Sequence, residues 1–87
     1  MRNYPEEFIA AGYRPDVPDY TYIKFEGDLL SSIEYATDET VGISVGVNQS
    51  PALPNITMLF LSGVCPIELW QESLEKLKEA LMSLTKG

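Results

Sequence analysis

Two kinds of hydrophobic spacing run along this chain. From Tyr20 to Val47 apolar residues alternate with polar or small ones, the period of a β-strand. From Ile67 to Leu84 they return at spacings of three and four, the period of an amphipathic helix. Residues 20–26 place Thr21, Ile23 and Phe25 on one side and Tyr20, Tyr22, Lys24 and Glu26 on the other, and we assign the first set to the core. Gly27-Asp28 makes a two-residue hairpin turn with glycine at its first central position. The return strand, about 29–37, groups Leu29, Ile33 and Tyr35 against Ser32, Glu34 and Ala36. After a turn at Thr37–Thr40, Val41, Ile43, Val45 and Val47 line one face and Gly42, Ser44 and Gly46 the other.

The loop NQSPALPN (48–55) leads to ITMLFLS (56–62), which is apolar on both faces. A strand of that kind is covered on two sides. Leu59 and Leu61 point toward the core, and Ile56, Met58 and Phe60 need a second cover. The N-terminal helix supplies it within one chain, or a second copy of the chain supplies it across an interface.

The final helix begins near Pro66 and presents Ile67, Trp70, Leu74, Leu77, Leu81 and Leu84. Its stripe lasts about two and a half heptads, short of what a coiled coil requires, so it is read as packing on the sheet. At the other end Pro5, Glu6 and Glu7 suit a first helical turn, Gly12 stops the helix, and Phe8 and Ile9 anchor it. Pro15 and Pro18 keep the following arm extended. The expected architecture is α+β: a short N-terminal helix, a four-stranded antiparallel meander and a C-terminal amphipathic helix on one sheet face. It forms one domain over 1–87, divided into a helix and extended arm (1–19) and a sheet plus helix (20–87).

Charge narrows the function. Six Lys+Arg against thirteen Asp+Glu give a net charge of −7, which is the wrong sign for a phosphate-binding surface. Direct contact with nucleic acid is therefore not expected. Between Thr40 and Ile67 there is no charged side chain, yet Asn48, Gln49, Pro51, Pro54 and Asn55 break the run well short of a membrane span. No signal peptide is visible, and a cytoplasmic protein with a reduced thiol is expected.

The chain has no His, which removes the commonest metal ligand and general base. Its one cysteine, Cys65, precedes the helix, where a dipole could activate it, but no base or resolving cysteine stands near it in sequence. Ser73–Lys76 and Ser83–Lys86 repeat the Ser-x-x-Lys spacing on the polar side of an amphipathic helix, outside the buried setting that acyl enzymes use. No phosphate loop, dinucleotide fingerprint or calcium loop occurs. We expect no enzyme, no cofactor and no metal site.

Seven of the nine aromatics fall in the first 35 residues, in the half that also carries the acidic excess. Tyrosine gives contact area at low entropic cost and keeps a polar rim. The expectation is a small acidic protein-binding module that blocks a basic, for instance nucleic-acid-binding, partner. It would use Tyr20, Tyr22, Glu26, Asp28, Glu34, Asp38 and Glu39. Phage- and bacteria-encoded inhibitors and adaptors share this size, acidity and layout, an analogy of composition only. One alternative is a self-associating assembly subunit, a homodimer or larger oligomer joined through Ile56, Met58 and Phe60. Another is a small-molecule sequestering protein with a pocket between the tyrosines and the glycine strip.

Overall fold

Asn3 opens the first helix: its side-chain oxygen accepts a hydrogen bond from the Glu6 N–H at 3.1 Å, satisfying one of the free donors of the first turn. This helix, α1 (Tyr4–Ala10), ends where Gly12 takes φ +97°, a left-handed conformation that favours glycine. The structure is a computed structural model that describes residues 2–48 and 58–85. The strands that follow are β1 (Arg14–Val17), β2 (Thr21–Glu26), β3 (Leu29–Tyr35), β4 (Thr40–Asn48) and β5 (Met58–Pro66). A single 3-10 turn (Ile67–Leu69) then leads into α2 (Trp70–Thr85).

The α+β meander is as expected, with five strands rather than four, in the order β1-β2-β3-β4-β5 and antiparallel throughout. The added strand is the supposed extended arm. Its prolines discouraged a strand assignment, but an edge strand tolerates proline because one side of its backbone faces solvent. Asp19 at φ 61° and the Tyr20 N–H bonded to the Val17 carbonyl at 3.0 Å close the turn that returns β1 onto β2. The last strand runs on to Pro66, four residues past the expected end, so Cys65 lies within β5 opposite Val41.

Both helices cover the same sheet face. Val41, Ile43 and Val45 of β4 and Ile33 of β3 meet Trp70, Leu74 and Leu81 of α2 there, with Leu59, Leu61 and Leu77 half-buried beside them. Phe8 of α1 is fully buried and stacks its ring edge to face on Trp70, with centroids 4.9 Å apart, a favoured aromatic geometry. Three expectations fail here. Ile9 is 55% exposed and anchors nothing, Leu84 is exposed beyond the last core turn, and α1 lies on the α2 side, so it does not cover the opposite face.

The faces of β2 are also reversed. Tyr22 is 3% exposed and packs on Phe8 at 5.0 Å, whereas Phe25 is 60% exposed on the opposite face with Ile23. The reason is register. A two-residue loop pairs Glu26 with Leu29, which places Tyr22 opposite Ile33 and Phe25 opposite Leu30. Ile33 belongs to the core, so its cross-strand neighbour does too.

Candidate functional site

The seven residues assigned to partner binding divide between the two ends of the sheet, with one in the core. Tyr22 is the core residue: its burial beneath α1 overturns the expectation that it projects outward. Glu26 and Asp28 stand at the β2–β3 turn. Glu26 points to the helix side, where Lys78 of α2 donates to its Oε1 at 3.1 Å. That hydrogen bond and the lysine charge hold the Glu26 carboxyl below its usual range. Burial is the largest single influence on Lys78 and works against its charge, but the bond to Glu26 together with the charges of Tyr13, Glu26 and Glu75 outweighs it, so the lysine is raised. This pair ties helix to sheet through one Glu26 oxygen, while the side chain stays partly exposed.

Tyr20, Glu34, Asp38 and Glu39 gather at the opposite end, about 20 Å away along β3 at about 3.3 Å per residue. Three connections converge there: the β1–β2 turn, the β3–β4 turn and the passage from β5 into the 3-10 turn. Open hollows between them are lined by Tyr4, Asp19, Tyr35, Thr37, Asp38, Glu39, Ile67 and Glu68, and no Lys or Arg joins this lining. The Tyr20 phenol lies against the Glu34 carboxylate, whose hydrogen bonding and charge raise the phenol's pKa.

Local chemistry shapes the β3–β4 turn. Thr37 Oγ1 accepts from the Glu39 N–H at 3.2 Å and the Thr40 N–H at 3.1 Å, a side-chain turn that leaves Asp38 and Glu39 exposed. The Ile67 N–H donates to the Glu39 carbonyl at 2.8 Å, fastening the last turn to this loop. Asp19, Glu68, Tyr4 and Tyr35 are members of this end that the sequence reading missed. Only the topology brings residues 4, 19, 35 and 68 together.

Arg2 borders the same region but is already engaged. Its guanidinium donates twice to the Glu7 carboxylate, at 2.9 and 2.7 Å, and lies 4.7 Å from the Tyr4 ring centroid. The paired arginine pulls the Glu7 carboxyl down, and the indole N–H of Trp70 assists at 3.2 Å.

Other assigned features fall elsewhere. Cys65 is buried on the helix side of β5 and is not among the residues lining the acidic hollows. Phe60 is 52% exposed on the open face, where its ring lies over Gly46. Ile56 lies outside the described residues, as does the side chain of Met58. Among the described residues no group of three or more Cys, Asp or Glu is placed to hold a metal ion, and no helix is long and apolar enough to cross a membrane. No family model, curated protein or solved structure matches this chain.

Proposed function

We propose that this protein is a non-enzymatic binding module that occupies a basic site on a partner protein with its acidic, tyrosine-bearing end. One observation carries the reading: three separate connections place Asp19, Asp38, Glu39 and Glu68 around Tyr4 and Tyr35, without a lysine or arginine in the lining. Carboxylates so placed raise the encounter rate with a cationic surface, and the tyrosines supply contact area once docked. Glu34 and Tyr20 extend the surface along the edge of the open face. The carboxylates sit on short, hydrogen-bonded turns, so docking orders little chain and costs little entropy.

The test is affinity capture from the native host lysate with the wild-type chain and a Glu34→Lys/Asp38→Lys/Glu39→Lys variant. The expected outcome is a bound protein that is lost both in the variant and on raising the salt, because exposed charges are screened within about 8 Å at physiological ionic strength. A Glu26→Lys/Asp28→Lys variant at the other end should retain that protein. Capture that ignores salt and survives reversal at Glu34, Asp38 and Glu39 would overturn the proposal.

A further inference from the structure

The outer side of β5 is the longest free edge of the sheet, and four features of it point the same way. First, β5 is the last strand of the order, and among the described residues nothing pairs with its far side. Every second residue of this nine-residue strand therefore turns its N–H and C=O outward, a row of groups that another strand can pair. Natural edges are usually blunted by charge, but none of these nine residues is charged.

Second, the helix above this edge is apolar on the same side. Lys78 reaches across to Glu26 on β2, so at 100° per residue the other flank of α2, carrying Leu77, Leu84, Ser73 and Ala80 with Lys76 beyond its outer margin, faces β5 and the space beyond it. Leu84 is exposed and Leu77 only half-buried. An α2 axis lying between β4 and β5 stands about 5 Å from a two-fold axis just outside β5, since strands are about 4.8 Å apart. Two such helices come within about 10 Å, the distance at which leucine side chains pack.

Third, the edge complements itself. An antiparallel pairing centred on Ser62 sets Phe60 of one copy opposite Val64 of the other, twice. Val64 is 70% exposed, and within its own chain it faces only Gly42. An aromatic opposite a β-branched residue is a favourable cross-strand pair.

Fourth, charge disfavours a charged partner and permits a second copy. A charged partner finds no counter-charge on this edge. In the antiparallel dimer the acidic end of each copy lies beside the Met58 end of the other, so the two acidic ends stand a full strand length apart, about 30 Å, well beyond the screening distance. The strip, about 30 Å long and about 20 Å deep, covers about 600 Å² per copy, which reaches the lower bound for a stable interface.

We infer that two copies of this chain join by antiparallel pairing of β5 about a two-fold axis at Ser62, with the α2 flanks meeting above, to form one ten-stranded sheet. The acidic ends remain free at opposite extremes, so the dimer is bivalent for the proposed partner, although the dimer itself does not depend on that partner.

The test is the mass in solution by light scattering or sedimentation over a dilution series. The wild-type chain should weigh twice its 9.7 kDa at high concentration. Val64→Lys, which places a charge on the edge, should fall to the single-chain mass, while Phe25→Lys, on the same face three strands away, should keep the doubled mass. In a Cys65→Ser background, Ser62→Cys should oxidise to a covalent dimer, because directly opposed residues lie about 4.5–5.5 Å apart at Cα, within disulfide reach; Ser32→Cys should not. If Val64→Lys fails to fold, as judged by circular dichroism, the Ser62→Cys crosslink decides. A wild-type chain that stays at 9.7 kDa overturns the inference, as do a doubled mass lost in Phe25→Lys and a dimer that Ser62→Cys fails to trap.

Discussion

The helix-covered face and the open face of the sheet come from the same strands, and they differ in what surrounds equivalent residues. On the covered face Tyr22 touches Phe8 and Tyr35, and Phe8 in turn rests on Trp70. On the open face Phe25 has solvent above it, with the Arg14 guanidinium 5.8 Å from its ring centroid. Ser32 and Ser44 hydrogen-bond to each other across the strands at its centre. Both faces carry aromatics, so residue type alone does not mark the core. Pairing with Ile33 and the helices above it does.

The sharpest way to break this comparison is to empty the covered face. Phe8→Ala removes a fully buried ring and should cost about 4 kcal/mol, enough to unfold a chain this small or lower its denaturation midpoint severely. Chemical denaturation followed by Trp70 fluorescence measures it. The matched pair Tyr22→Ala and Phe25→Ala compares the faces directly. The first should cost about 3 kcal/mol and the second under about 1 kcal/mol, since a half-exposed ring has already kept much of its water. Equal losses would mean that the faces are assigned wrongly.

A smaller effect of opposite sign is expected at Ser31, which is fully buried on the covered face and whose Oγ makes no hydrogen bond among the described residues. The Tyr13 hydroxyl approaches it, but the geometry falls short of a hydrogen bond. Ser31→Ala removes an unsatisfied polar group and should raise stability by about 1 kcal/mol in the same denaturation assay.

The smallest effect belongs to the rim between the faces. The Glu26 carboxyl is held below its ordinary 4.5 by Lys78, so the folded state binds a proton less readily than the unfolded chain. The pair's contribution is complete above about pH 4.5 and disappears as pH falls through the lowered folded value. At a partly exposed site it is worth about 0.5 kcal/mol. Glu26→Gln should lower the melting temperature slightly at pH 7 and leave it unchanged near pH 3.

Much of this was legible in the sequence. The period-2 run at Val41–Val47 and the heptad spacing from Ile67 to Leu81 identified the strand and helix at the centre of the core, because burial on one face forces those periods. The reversal of β2 was legible too. The two-residue Gly27-Asp28 loop fixes the pairing of Tyr22 with Ile33, and following that register across the hairpin would have placed Tyr22 inside. The fifth strand was hidden by Pro15, since local propensity carries no information about which strand ends at a sheet edge.

The candidate site was less legible. Glu34, Asp38 and Glu39 are close in sequence and stay together, while Glu26 and Asp28 separate from them because a hairpin sends its two turns to opposite ends of the sheet. Asp19, Glu68, Tyr4 and Tyr35 join through contacts between residues far apart in the chain.

From the sequence alone came the class of the fold, the reversals at Gly27-Asp28 and Thr37–Thr40 and the acidic balance, all set by local periodicity, turn chemistry and composition. Tertiary structure decided which face of β2 is inside, which end of the sheet collects the carboxylates and which strands lie at its two edges. Those depend on strand register and on where the helices settle, and side chains distant in the chain must meet before either is determined.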